Sequence, residues 1–247
     1  MRRPLLAALL GVTGALAAAA AWGAPLLSGP GIQINAAGAD VSVALKVLLG
    51  LTVLSLAPAI LVSMTAFIRI GIVLSMLRHA LGMPETPPNP VIISLALFLT
   101  LFTMAPVLQK VNQDALQPYL AGTLTPERAA GAGAAPLRDF MVRQTREEDL
   151  ALMVELAKAE QPATIEDISL VQLIPAFMLS ELRAAFQIGF VIFLPFLLVD
   201  LIVSSALMAL GMMMVPPASI SLPIKILLFV LMDGWNLVVR ALLGTFA

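Results

Sequence analysis

The chain has 247 residues, 60% of them hydrophobic and 12% charged, with a formal net charge of −1 and no cysteine. A soluble domain carries about a quarter charged residues, so a mean hydropathy of +0.99 excludes a single water-covered globule and requires several membrane-length segments. Near-neutral charge without a basic run excludes a nucleic-acid partner, and the absence of cysteine excludes disulfides, thiolate catalysis and Cys-based metal sites.

The N-terminus reads as a cleavable signal peptide over residues 1–24. Arg2 and Arg3 form a basic start, 5–21 is apolar and rich in Leu and Ala, and small residues then sit at cleavage spacing, Ala19 with Ala21 or Ala21 with Gly23. The alternative is an uncleaved first membrane helix; the alanine content and the Trp22-Gly23-Ala24-Pro25 ending favour cleavage. Such a signal implies a bacterial envelope protein whose mature N-terminus begins outside the cytoplasm.

Residues 25–110 carry the first two hydrophobic helices and a proline-rich connection. From 47 to 68 there is no charge, enough to cross about 30 Å as helix, with a kink expected at Pro58. Arg69, Arg78 and His79 follow, and then Pro84, Pro87, Pro88 and Pro90 prevent helix from continuing. A second uncharged span covers 91–108. Residues 111–183 hold most of the charged side chains and read as an inserted, hydrated α-helical region. Within it, Thr145 and Glu148 fit a capping box ahead of a helix of about 15 residues marked by Leu150, Met153, Val154, Leu156 and Ala157. Residues 131–136 read as a flexible joint. The last part, 184–247, is a helical hairpin: an apolar run to Leu210, a break at Gly211 to Pro217, and a final helix over 220–243 containing Lys225, Asp233 and Arg240.

The fold class is therefore all-α, an integral-membrane type built from kinked helical hairpins around the inserted region. By the positive-inside rule Arg69 and Arg78 lie on the cytoplasmic side and 110–183 in the periplasm, where an insert of more than about 60 residues translocates regardless of its charge.

Enzymatic constellations are missing from the sequence. There is no Gly-x-Ser-x-Gly elbow and no phosphate-cradling glycine loop, so neither catalysis nor a cofactor is expected. His79 alone cannot make a His-rich metal site and reads as an interfacial residue. Glu147, Glu148 and Asp149 fit the acid-favouring start of a solvated helix better than a metal site. Asp200, Lys225 and Asp233 stand inside apolar helices, where an unpaired charge costs several kcal/mol. Lys225 and Asp233, eight residues apart, share one helical face. With Glu181 and Arg183 they form either structural ion pairs joining helices or subunits, or a proton or ion pathway. The expected pairing is Lys225 with Glu181 or Asp200 of a neighbouring subunit. Met212, Met213 and Met214 occupy a turn bounded by Gly211 and by Pro216 and Pro217. Three methionines in an apolar run can be ordinary core; at such a turn, repeated round an axis, these unbranched side chains can also close a pore and deform around a passing chain.

Four stretches resemble the FliP family of flagellar type III export-gate subunits. They are Met64-Thr65-Ala66-Phe67-Ile68-Arg69-Ile70 with Leu77-Arg78-His79-Ala80-Leu81-Gly82; Thr86-Pro87-Pro88-Asn89 leading into Leu95-Ala96-Leu97-Phe98-Leu99-Thr100; Pro136-Leu137-Arg138-Asp139-Phe140-Met141 with Arg143-Gln144-Thr145-Arg146; and Ser180-Glu181-Leu182-Arg183-Ala184-Ala185-Phe186-Gln187-Ile188-Gly189-Phe190 continuing through the Met turn to Asp233-Gly234-Trp235. Pro90 departs from the glutamine the family pattern leads one to expect. The resemblance implies a pentameric ring that joins FliQ and FliR, with FlhB and FlhA as further partners. It would conduct unfolded flagellar proteins through the inner (cell) membrane at the flagellar basal body. It makes Met212–Met214 the pore gasket and Gly211, Pro216 and Pro217 its hinge. It also implies helices set in a cone largely above the bilayer plane, with energy supplied by other components. The homologous injectisome subunit is the nearest rival; the signal peptide and the length of the periplasmic segment favour the flagellar version. A small-solute transporter subunit would need more polar groups at mid-membrane than the sequence holds.

Overall fold

A computed structural model describes residues 40–157 and 168–246; the expected signal peptide lies outside them. The chain divides into two units, 1–56 and 57–247, and among the described residues the regular structure is helical. Of the first unit the described part belongs to helix α1, Asp40–Met64.

Pro58 is accommodated inside α1, and the sharp bend falls instead at Thr65-Ala66, where Pro58–Met64 meets α2, Phe67–Ala80, at 81°. Thr65 explains the place. Its hydroxyl donates back to the Leu61 carbonyl and accepts from the Phe67 N–H at 3.3 Å, replacing helix hydrogen bonds on both sides of the break. Beyond it α2 buries Ile70, Val73, Leu74, Leu77 and Ala80, a three-and-four spacing that makes one apolar face.

Helix α3, Asn89–Val111, starts behind the extended Pro88 and buries Ile92, Ala96, Thr100 and Met104 along one stripe. It runs through a π-helical turn, Asn112–Leu116, into α4, Gln117–Leu120, where Pro118 has no N–H to continue the α pattern. Helix α5, Pro126–Gln144, packs on α3 and the π turn. The expected joint at 131–136 is helix: a Cβ on Gly133 would stand 3.4 Å from the Ala115 Cβ, so the glycine permits close packing. The expected capping box is also absent. Thr145 ends α5 and donates to the Met141 carbonyl, and Arg146 is the N-cap of α6, Glu147–Leu156. A capping box forms instead at Ser169 and Gln172, opening α7.

Helix α7, Leu170–Ala209, has 40 residues and so spans about 60 Å, roughly twice a hydrocarbon core. The divide drawn from sequence between 183 and 184 falls inside it. Arg69 of α2 bonds Glu181 of α7, and Met76 lies against Gly189, where a Cβ would come within 3.3 Å of the Met76 Cβ. Seven residues along α2 thus match eight along α7, and the two helices run parallel. This corrects the topology expected from hydropathy. Arg69 and residues 110–183 cannot lie on opposite faces of a slab about 30 Å thick when Arg69 touches Gln144 and Glu181 directly. Counting apolar residues treated α1 and the start of α2 as one straight span; the 81° bend makes α2 a new helix.

Helix α8, Pro217–Leu231, returns along α7, and α9, Gly234–Gly244, leaves it at 67°. The final helix expected over 220–243 is thus broken. Asp233 takes φ 50°, and Gly234 lies under the Phe229 ring, where a Cβ would be 2.1 Å from Cδ2. Asp233 and Lys225 therefore do not share a helix. Two helical runs, Asn89–Leu120 and Leu170–Ala209, are long and apolar enough to cross a membrane, or up to four if each bent pair is one span.

Candidate functional site

The second unit carries a buried arginine junction, a lysine–aspartate pair beside a cleft, and the methionine tip.

Arg69 is buried at the start of α2. Its Nε–H donates to Glu181 Oε2 at 3.0 Å and one Nη2–H to Glu181 Oε1, a bidentate pair. The other Nη2–H meets Gln144 Oε1 at 3.1 Å, and Nη1 donates to the Thr245 hydroxyl at 2.9 Å and carbonyl at 3.2 Å. A guanidinium has five N–H donors, and all are used. The Phe246 ring covers Cζ at 4.0 Å and stacks on Phe140, which meets Phe177 edge-on. Next to Glu181, Ser180 donates to the buried Asp149 at 2.6 Å and accepts from the Arg146 N–H at 3.0 Å, which ties the start of α6 to α7. Arg183 completes this seam, 3.2 Å from Glu148 and 3.3 Å from Asp149.

Lys225 reaches from α8 to Asp200 of α7 at 2.6 Å and donates to the Ala80 carbonyl, at the end of α2, at 3.3 Å. The pair is unequal: the lysine side chain is 7% exposed and the aspartate 41%. Asp200 borders an open cleft of about 360 Å³ that His79, Ser204 and Ser221 also line.

At the far end of α7, Gly211 adopts φ 72°; its N–H bonds the Met208 carbonyl and the Met212 N–H bonds the Leu207 carbonyl at 2.9 Å. This double closure is a Schellman motif, which needs the left-handed residue that glycine supplies. Pro216 is the extended N-cap and Pro217 the first residue of α8, where the missing N–H costs nothing. Between these stops Met212, Met213 and Met214 project from the molecule, 43%, 82% and 96% exposed. They are not core.

The structure therefore brings Asp200 and Lys225 together within one chain, where the expected partner was a neighbouring subunit. It gives Glu181 to Arg69 and Arg183 to the start of α6. Asp233 stays apart at the bend, accepting from Asn236 at 3.0 Å. Arg69, Gln144 and Thr245 are the residues that sequence reasoning missed. By the positive-inside rule Arg69 marks topology; a single cation directly after an uncharged run of membrane length is also the signature of a buried, paired charge. Among the described residues no three His, Asp or Glu side chains gather as a metal site.

The FliP family model matches residues 50–242. The chain belongs to the FliP family. It is 51% identical over 207 residues to the flagellar biosynthetic protein FliP of Bacillus subtilis, covering 84% of this chain and 94% of that one. With the protein of the same name from Pectobacterium carotovorum it shares 52% over 209 residues, 85% and 81% of the two chains. The Caulobacter vibrioides FliP is similar over more of the chain, 46% identical over 242 residues, 97% and 91%. The family match spans Arg69, Glu181, Asp200, Met212–Met214 and Lys225, so every arrangement above except the Thr245-Phe246 end lies within it.

Proposed function

We propose that this chain is a component of the flagellar type III export apparatus and a pore-forming subunit of its gate in the bacterial inner membrane. In this reading several copies surround an axis, five by family resemblance, with FliQ, FliR, FlhB and FlhA as neighbours and unfolded flagellar proteins as cargo. The observation that carries it is the methionine tip. Three soft apolar side chains project from the end of a long apolar hairpin, held by a glycine closure on one side and two prolines on the other. Exposed in a single chain, such a tip is a liability. Brought together with copies of itself around an axis, it becomes a dewetted constriction that excludes ions yet yields to a polypeptide.

Two further features support the reading. Helix α7 exceeds a bilayer crossing by about twofold, which suits a cone that rises out of the membrane. Its outer face leaves Phe186, Phe190, Val191, Leu198, Leu201 and Ile202 exposed, a surface for neighbouring helices. No step of chemistry is assigned to these residues; the buried charges fix helices, and the tip seals. Purification in a mild detergent with mass measurement tests the assembly. A ring of several copies with small helical partners is expected, and a stable solitary chain would contradict it.

A further inference from the structure

We propose that the pair Thr245-Phe246 is a latch that closes the Arg69 junction, so that the corner joining α2, α5 and α7 is held shut by a segment far from it in sequence. The hydrogen bonds assign the roles. Both acceptors of Arg69 Nη1 belong to Thr245, its hydroxyl and its carbonyl, while Glu181 and Gln144 take the other three donors. Thr245 is itself oriented, since its hydroxyl donates to the Leu242 carbonyl at 2.6 Å and so turns a lone pair toward the guanidinium. Phe246 then closes the cation from above and stacks on Phe140 of α5. Without these two residues the guanidinium keeps its charge pair but loses two acceptors and the ring that shields it, so the corner must open to water for those donors to be satisfied.

The separation in sequence gives the latch its meaning. Thr245 is 176 residues beyond Arg69. Helices α2, α5 and α7 are all synthesised before the junction can be completed. The 81° bend just before Arg69 thus takes its last hydrogen bonds from a segment made after all three helices that form the corner. The family match stops at residue 242, so this role belongs to the stretch immediately past it.

The chain has no cysteine, and single cysteines therefore report locally. Ala66, one turn before Arg69, and Ala96, midway along α3, are both fully buried. In membranes carrying the full-length protein, N-ethylmaleimide should label Ala66→Cys and Ala96→Cys equally slowly. Removing residues 245–247 should accelerate labelling at 66 by about tenfold through local opening and leave 96 unchanged. Thr245→Ser, which keeps both oxygens, should match the intact chain. Continued protection of position 66 after the truncation would overturn the latch. Opening of both positions together would overturn it as well, because the tail would then support the whole fold and not this corner.

Discussion

At Asp200 and Lys225 the two halves of one ion pair sit in different surroundings, and that difference makes a prediction. The ammonium is enclosed between α8, α7 and the end of α2, whereas the carboxylate borders an open cleft. Removing the carboxylate strands a buried cation whose remaining acceptor is the Ala80 carbonyl. Removing the lysine leaves an anion that water in the cleft can solvate. Asp200→Asn should therefore lower the unfolding temperature in detergent more than Lys225→Met does, because breaking a buried pair costs most on the side that stays buried. The double variant should be more stable than Asp200→Asn alone. Equal losses for the two single variants would mean that both charges are equally solvated. The same residues mark how far sequence reaches. A charge inside an apolar helix announces that it has a partner, but Glu181 was as plausible for Lys225 as Asp200. The choice is made by the parallel course of α2 and α7, which brings Arg69 to Glu181 and leaves Asp200 to Lys225.

Among the elements, α2 against α7 is the packing on which the rest is hung, and its closest approach is Gly189 at Met76. A side chain at 189 would overlap the Met76 sulfur, at 2.2 Å from the first added carbon. Gly189→Val should destabilise the protein by about 1–3 kcal/mol, the usual range for overpacking, measured by thermal unfolding in detergent. Met76→Ala in the same chain should recover part of the loss; no recovery would mean that the strain arises elsewhere. Helix presence was legible from apolar periodicity and proline position at α3, α6, α7 and α8, which coincide with such signals, but not at α5, which carries no such apolar period. Helix ends and bends were less so, because they are settled by competition. Thr145 had a glutamate three residues on and still spent its hydroxyl on the Met141 carbonyl of the preceding helix. Pro58 looked like the kink, yet the break went to Thr65, whose side chain can satisfy the backbone on both sides. Gly131 to Pro136 looked flexible, yet it is helix because Gly133 packs on Ala115.

For the whole molecule, the exposed faces of α3, α7 and α8 and the projecting tip have one physical consequence: water leaves them without apolar neighbours, so lipid or further helices must cover them. The tip itself was legible, since glycine and paired prolines around three methionines specify a closed turn. Its projection was not, because exposure depends on α7 running on past the end of α2, which stops beside Asp200. In the proposed gate, copies of this tip seal a conduit. The most direct measurement is ion conductance of membranes carrying the assembled complex, with Met212, Met213 and Met214 all replaced by alanine. Shortening each side chain by three heavy atoms should remove the seal, so the resting membrane should leak small ions in proportion to the amount of complex, while the intact protein stays tight. A triple-alanine complex that assembles normally and remains as ion-tight as the intact one would contradict the account.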